Sequence, residues 1–230
     1  MKRIGLLGGM SWESSVEYER IINQVVRQKL GGTNSADLVI RSFNFADIEA
    51  LQISGDWHQA GQLLAEAAAD LEAAGCDAVV LCTNTMHKVA DQIVAAITVP
   101  FLHIADATAQ AIVASGITCV GLLGTRYTME QSFYRDRVAS DFGIEVHVPN
   151  QAQRDRVNDI IFDELVQGII TEESRLEYLA IINELIAIGC TGIVAGCTEI
   201  ELLVSPDLVS VPYFATARIH ALAAAEFALS

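Results

Sequence analysis

Two segments of the chain follow the same pattern, an apolar run that opens into a short polar tail: AVVLCTNTMHK at 78–88 and GIVAGCTEI at 192–200. They belong to a longer repeat. IGLLGGM at 4–10 recurs as VGLLGTR at 120–126, AGCDAVVLCT at 74–83 as IGCTGIVAGC at 188–197, and VPFLHI at 99–104 as VPYFAT at 211–216. Three matches in one order, at nearly one offset, indicate an internal duplication. The chain is therefore expected to fold as two similar halves.

Within each half, short apolar runs alternate with longer amphipathic stretches, as in a parallel α/β sheet. Strands are predicted at 3–8, 37–43, 78–82, 99–104, 118–123, 144–148, 192–196 and 210–214. Helices are predicted at 57–74, 86–96, 127–142, 154–167, 172–188 and 215–229, and over SSVEYERIINQVVRQKLGG, where Ser14 and Glu17 have capping-box spacing. We expect an α/β fold of two halves related by approximate twofold symmetry, each with a four-stranded parallel sheet flanked by helices. The first domain would comprise 1–104 plus 215–230, and the second 105–214.

Composition argues against several classes of function. The 230 residues include 14 basic and 29 acidic side chains, a formal charge of −15, which disfavours nucleic acid and anionic membrane surfaces as partners. No eighteen apolar residues run uninterrupted, and the first apolar run is too short for a signal peptide, so neither a membrane span nor a secretion signal is expected. Five cysteines without a disulfide-framework spacing predict a cytoplasmic location.

The polar tails GGMS, TNT, GTRYT and CTE all follow predicted strands. Ligands of open α/β sheets bind beyond the carboxyl ends of the strands, so we expect the active site in a cleft between the two domains. The repeat aligns Thr83 with Cys197, on opposite sides of the ligand. Two facing acid/base groups can remove a proton from one face of a carbon and deliver one to the other. Cys197 precedes a predicted helix start, which would lower its thiol pKa.

GLLGGMSWES, CTNTMH, LLGTRYTM and GCTEI, in this order over almost the whole chain, resemble the aspartate/glutamate racemase family, in particular its bacterial L-aspartate/glutamate-specific, broad-specificity members. The resemblance implies two flavodoxin-like halves, a homodimer, and racemisation of small amino acids, with aspartate and glutamate first among substrates. It also implies that neither pyridoxal phosphate nor a metal is needed. Cys197 and Thr83 would then be the acid/base pair.

The resemblance further implies which residues bind the substrate. Met10 and Ser11 would line the cleft, and Glu199 would meet the ammonium group or orient Cys197. The α-carboxylate would be held by Asn84, Thr85, Thr125, Thr128 and Thr198.

Two positions depart from the family pattern. Most of the family has cysteine in both facing loops, whereas Thr83 takes one of these places. An alcohol ionises about 7 pKa units above a thiol, or ~10 kcal/mol, so Thr83 donates a proton far more easily than it removes one. Gln52 and Glu164 stand where aspartate-selective members grip the distal carboxylate with basic side chains. Arg126 and Arg154 are the candidates for compensating this loss.

Several other interpretations remain open. A single-cysteine decarboxylase or cis-trans isomerase of the same superfamily would keep Cys197 without a second base. A non-catalytic amino-acid-binding protein would use the same cleft, and a hydrolase would use Cys197 as its nucleophile. No dinucleotide fingerprint and no metal-ligand spacing is present, so we expect no cofactor and no metal. The sequence predicts small core residues at Cys76, Cys82, Cys119 and Cys190, and local hydrogen bonding for His87 and His103.

Overall fold

The computed structural model describes residues 1–230, which form two compact units. The first consists of Met1–Ile104 together with His220–Ser230, and the second of Ala105–Ile219. Each unit contains one four-stranded parallel sheet flanked by helices. The predicted α/β fold class is thereby confirmed.

The first unit has the strand order β2-β1-β3-β4, which follows the flavodoxin-like pattern. Its elements, in chain order, are β1 (Ile4–Gly8), α1 (Trp12–Leu30), β2 (Leu38–Ser42), α2 (Phe45–Ser54), α3 (Trp57–Ala73), β3 (Ala78–Leu81), a 3₁₀ turn (Thr85–Val89), α4 (Ala90–Ala96) and β4 (Phe101–Leu102).

The second unit repeats this order as β6-β5-β7-β8. The chain enters it within α5 (Ile104–Ala114) and leaves it within α11 (Thr216–Leu229). Between these helices lie β5 (Cys119–Gly124), α6 (Arg126–Glu130), α7 (Ser132–Phe142), β6 (Glu145–His147), α8 (Gln151–Asp159), a π-helical turn (Ile160–Glu164), a 3₁₀ turn (Leu165–Gln167), α9 (Glu172–Ala187), β7 (Gly192–Gly196), α10 (Ile200–Leu203), a second 3₁₀ turn (Pro206–Leu208) and β8 (Tyr213–Ala215).

The two units also share packing details. A Cβ at Gly5 in β1 would lie 3.0 Å from the Leu71 side chain, and one at Gly121 in β5 would lie 2.9 Å from the Leu185 side chain. Glycine at these equivalent positions lets one helix approach each sheet closely, α3 in the first unit and α9 in the second. The duplication read from the sequence therefore extends to helix packing.

The core of each unit lies between the sheet and these helices. In the first unit, Leu7, Val79 and Leu81 pack with Leu64 and Ala68 of α3, all fully buried. Burying one large aliphatic side chain stabilises a fold by roughly 1.5–3 kcal/mol relative to leaving it exposed. The second unit repeats this layer with buried residues of β5, β7, α8 and α9.

The start of α1 differs from its prediction. Ser11, not Ser14, is the N-cap and accepts the backbone N–H of Ser14. Ser14 is buried in the first turn, and Glu17 pairs with Arg20 instead of closing a capping box. The capping-box prediction was wrong because the turn that follows β1 already places Ser11 at the helix entrance.

Other helices also depart from the sequence reading. Helices α2 and α5 were not predicted. The helix predicted at 127–142 is two helices, because Gln131 is extended (φ −92°, ψ 153°). The helix predicted at 154–167 begins at Gln151, after a capping box formed by Asn150 and Gln153. No helix in the chain has both the length and the apolar composition needed to cross a membrane.

Candidate active site

The turn after β1 carries Met10 and Ser11, both predicted site residues. Gly9 precedes them with φ +85°, and a Cβ there would lie 2.3 Å from the carbonyl oxygen of Phe43. The Gly9 N–H also donates to Ser15 Oγ at 2.7 Å. Only glycine fits this turn, which fixes Met10 and Ser11 as buried residues just beyond the carboxyl end of β1.

Thr83 follows β3, the strand next to β1. The Cys82 N–H donates to the Leu7 carbonyl at 2.9 Å, so the sheet ladder continues to the residue before Thr83. Cys82 is fully buried, and burial raises the pKa of its thiol. Thr83 is half-buried. The prediction that Cys82 turns into the core is confirmed, which leaves Thr83 as the side chain offered at this strand end.

His87 anchors the backbone of this loop. Its Nδ1 donates to the Thr83 carbonyl at 2.7 Å, and its Nε2 accepts the Ile104 N–H at 3.2 Å. A carbonyl can only accept and an amide N–H can only donate, so these partners assign a neutral Nδ1–H tautomer. The His103 ring packs edge-on against His87, with the ring centroids 4.4 Å apart. The local hydrogen bonding predicted for His87 is confirmed.

Three further predicted residues of the first unit lie around the same loop. Asn84 and Thr85 are buried at the start of the 3₁₀ turn. Gln52, on α2, is also buried and its Nε2 lies 3.1 Å from the Met86 sulfur. The predicted residues of this unit therefore gather at the carboxyl edge of one sheet.

In the second unit, β5 and β7 pack closely at the carboxyl edge of the sheet, which is equivalent to the edge just described. Gly124 and Gly196 are register partners, and a Cβ on either would lie 2.9 Å from a backbone oxygen of the neighbouring strand. Thr125 caps α6 by accepting the Thr128 N–H, and the two threonine hydroxyls lie 3.3 Å apart. These buried hydroxyls stand beside the strand end that leads to Cys197.

Cys197 directly follows β7 and is half-buried. Its Sγ lies 2.9 Å from Oε2 of the buried Glu199, so the thiol donates to the carboxylate. Burial and the negative charge of Glu199 hold the pKa of Cys197 well above its usual range. The expectation of a lowered thiol pKa was wrong, because burial and the Glu199 carboxylate outweigh the backbone N–H of Glu199 at the start of the four-residue α10.

Tyr178, on α9, lies in the same neighbourhood and was not identified from the sequence. It is fully buried, and its hydroxyl donates to the Val157 carbonyl at 3.0 Å. Burial, then the charges of Cys197, Tyr213 and Glu164, raise the pKa of Tyr178. Tyr178 therefore interacts electrostatically with two predicted site residues of the second unit, Cys197 and Glu164.

Glu164 ends the π-helical turn, and its carboxylate accepts the hydroxyl of Ser174. Arg156 Nη2 lies 3.7 Å from the other carboxylate oxygen. The two arginines considered as compensating groups also have partners: Arg126 pairs with Asp155 and Arg154 with Glu130, each at 2.9 Å. Either would have to leave an ion pair to reach a substrate.

The structure also brings together a cluster that sequence spacing did not reveal. Ligand atoms of Cys119, Glu145 and His147 lie within 4.8 Å of one another. Cys119 begins β5, whereas Glu145 and His147 belong to the neighbouring β6. The available signal was Glu-x-His within a strand, since alternate strand residues share one face.

Comparisons with known proteins agree with this architecture. A family model described as Asp/Glu/Hydantoin racemase matches residues 7–224. The chain is 55% identical to a Yersinia pestis protein provisionally designated an Asp/Glu racemase, over all of both chains and with a TM-score of 0.95. It is 33% identical to an aspartate racemase homologue from Pyrococcus horikoshii OT3, again over all of both chains, with a TM-score of 0.87.

A more distant structure shares the fold. The aspartate racemase of Picrophilus torridus is 19% identical, with 99% of this chain and 94% of that one covered and a TM-score of 0.78. The family match spans both repeated units, including the strand ends that carry Thr83 and Cys197. The resemblance read from the four motifs is confirmed, and the chain belongs to the Asp/Glu/Hydantoin racemase family.

Proposed function

We propose that the protein racemises amino acids without a cofactor, aspartate and glutamate first among them, by two-base proton transfer between Thr83 and Cys197. The observation that carries the proposal is the equivalence of these residues in the repeat. Thr83 lies five residues beyond Ala78 and Cys197 five beyond Gly192, the positions that start β3 and β7. Each occupies the carboxyl edge of its own sheet, where α/β folds bind ligands.

In this proposal the base is the Cys197 thiolate, which forms through the hydrogen bond between Cys197 and Glu199. Glu199 receives the thiol proton, and the resulting thiolate removes the α-proton from the enantiomer whose hydrogen faces it, which the family resemblance makes L. Thr83 gives a proton to the opposite face of the carbon while its oxygen takes one from solvent, and Glu199 releases its proton to solvent, which restores the starting state. Proton transfer by positioned groups of this kind contributes about 10²–10⁴-fold to a rate.

The carbanion next to the substrate carboxylate requires hydrogen-bond donors. Amide and hydroxyl groups at the two sheet edges would supply them, from Asn84, Thr85, Thr125, Thr128 and Thr198. A preorganised donor of this type is worth about 2.7–4 kcal/mol in the transition state. Met10 and Ser11 would line the same site.

The side-chain end of the substrate would meet Gln52 and Glu164. Neither offers the positive charge that grips a distal carboxylate, so we expect broad specificity with weak binding of acidic substrates. The homodimer and the cytoplasmic location predicted from the sequence stay predictions.

Thermodynamics constrains any preference for one enantiomer. L and D forms have equal free energy in water, so kcat/KM is equal in the two directions for a single enzyme. If Thr83 donates a proton more readily than it removes one, kcat will differ between the L and D substrates. KM will then differ by the same factor.

The experiment is a survey of L and D amino acids by chiral chromatography, repeated after treatment with a carbonyl-trapping reagent. We expect racemisation of aspartate and glutamate that the reagent does not abolish. Activity that depends on added pyridoxal phosphate would refute the cofactor-independent route. Ligand-induced thermal stabilisation without any loss of optical rotation would instead identify an amino-acid-binding protein.

The single-cysteine decarboxylase reading is separated in the same assay. A decarboxylase releases carbon dioxide and shortens its substrate, whereas a racemase conserves every heavy atom. Product mass therefore distinguishes the two reactions.

A further inference from the structure

Three potential metal ligands meet at the amino ends of β5 and β6, and a fourth residue, Cys190, lies just before the amino end of β7. We call this set, Cys119, Glu145, His147 and Cys190, the cysteine corner. The ligand atoms of Cys119, Glu145 and His147 lie within 4.8 Å of one another. Cys190 precedes β7, and the N–H of the next residue, Thr191, donates to the Cys119 carbonyl at 3.0 Å, which places Cys190 beside this group. The sheet register places Cys119 opposite Glu145 and Gly121 opposite His147, so the side chains from β5 and β6 share one face.

The first unit contains the equivalent corner with different chemistry. Arg3 is the residue before β1, and Asp37 is the residue before β2. Their side chains form an ion pair at 3.0 Å. Cys76 occupies the place of Cys190, two residues before its strand. In the first unit, the positive charge at this corner is therefore supplied by the Arg3 side chain.

In the second corner, cysteine replaces that cation. Cys119 stands at the position of Arg3, and Glu145 at that of Asp37. The Glu145 carboxylate is paired with His147 at 2.8 Å instead. Two thiols, an imidazole and a carboxylate are therefore gathered where the sister unit holds an ion pair.

We propose that the cysteine corner binds one Zn²⁺ ion through Cys119, Cys190, His147 and one carboxylate oxygen of Glu145. The two thiols release their protons to solvent on binding, while the neutral imidazole and the carboxylate coordinate as they are. The metal then supplies the positive charge that Arg3 supplies in the first unit.

Ligand chemistry favours zinc over harder cations. Thiolate and imidazole ligands suit Zn²⁺, whereas Mg²⁺ and Ca²⁺ take oxygen ligands. Ligand atoms about 2.0–2.3 Å from a tetrahedral zinc lie roughly 3.3–3.8 Å from one another. The Glu145 oxygen, now 2.8 Å from His147 Nε2, would move slightly away from it, which the 68% exposed Glu145 side chain allows, while the longest separation among the three ligand atoms, at most 4.8 Å, would shorten.

The position of the corner indicates a structural role. Cys119 begins β5 and Thr125 follows its end, a separation of about 20 Å at 3.3 Å per residue. Cys190 and Cys197 lie at opposite ends of β7 in the same way. The ion would tie the short β6 to β5 and to the turn after α9, at the end of the sheet remote from the proposed acid/base residue.

The test uses the full-length protein, reduced, stripped with a chelator and then titrated with Zn²⁺ alone. We expect one ion bound per chain and, at metal about a hundredfold above its dissociation constant, a rise in melting temperature of about 5–10 °C. Co²⁺ in its place should give the charge-transfer absorption of cobalt–thiolate bonds. Loss of one ligand in Cys119→Ser or His147→Ala should weaken binding at least about a hundredfold.

Two further variants guard against unfolding as an explanation. Cys119→Arg should restore the ion pair of the first unit with Glu145, keep the melting temperature of the metal-free protein and abolish metal binding. Cys76→Ser, at the equivalent corner, should bind zinc as the parent chain does. Undiminished binding in Cys119→Arg, loss of binding in Cys76→Ser, or a reduced protein that takes up no zinc and instead forms a Cys119–Cys190 disulfide in air would overturn the proposal.

Discussion

Replacing Cys197 with serine separates catalysis from folding, and Cys82→Ser is its matched control. In Cys197→Ser the hydroxyl can still donate to Glu199, and the site is half-buried, so we expect a stability loss within about 1 kcal/mol. In Cys82→Ser a hydroxyl enters a fully buried site, which costs about 1–3 kcal/mol if it stays unpaired.

The catalytic effect follows from the acidity of the two groups. An alcohol ionises about 7 pKa units above a thiol, and each unit is worth about 1.36 kcal/mol. Burial and the charge of Glu199 disfavour either anion at position 197, so this penalty largely cancels in the comparison. The upper limit is therefore ~10 kcal/mol, or about 10⁷-fold, and we expect at least about a 10³-fold loss of kcat.

The assay combines enantiomer conversion with thermal unfolding of both variants. We expect Cys197→Ser to fold and to be inactive, and Cys82→Ser to be less stable by about 2–4 °C per kcal/mol but to keep its kcat. Turnover by Cys197→Ser within a few-fold of the parent chain would remove Cys197 from the mechanism. Equal loss of activity in both variants would attribute it to disturbed packing.

Glu199→Gln should lower kcat and move the pH–rate profile to lower pH, because it removes the charge that raises the pKa of the neighbouring thiol; an unmoved profile would contradict this cause. Thr83→Cys should raise kcat from the D substrate toward that from L, and an unchanged ratio would leave Thr83 without an acid/base role. Gly9→Ala should unfold at least about 2 kcal/mol more readily than Gly31→Ala, because both have positive φ but only Gly9 faces backbone atoms; equal melting shifts would refute this reading. Glu164→Lys should lower KM for aspartate relative to uncharged amino acids, and a constant ratio would place Glu164 away from the substrate side chain.

The sequence predicted the strands well because each is a short apolar run between polar tails. Helix ends were harder to place. Ser14 and Glu17 matched a capping pattern, but the glycine turn after β1 made Ser11 the cap. Helix α2 escaped prediction because its N-cap, Asn44, makes no side-chain capping bond and its apolar residues favour no one face strongly.

For the candidate site, the sequence predicted where residues lie along the strands but not their electrostatics. The repeat singled out Thr83 and Cys197 as candidates, and both follow the carboxyl ends of equivalent strands because equivalent positions in a duplication fold alike; their acid/base roles stay predictions. The pKa of Cys197 depends on burial and on which way Glu199 points, and neither is encoded in spacing. The cysteine corner was missed for a related reason, since its ligands meet only once β5 and β6 pair.

The central claim is two-base proton transfer, and isotope exchange during a single pass from L to D tests it most directly. L-aspartate is incubated with the protein in deuterated water, and the α-hydrogen of each enantiomer is followed by mass spectrometry after chiral separation. We predict that the first D-aspartate formed carries deuterium from the Thr83 side, while the remaining L-aspartate still holds its original proton. D-aspartate that retains that proton, or a product that has lost a carboxyl group, would contradict the account.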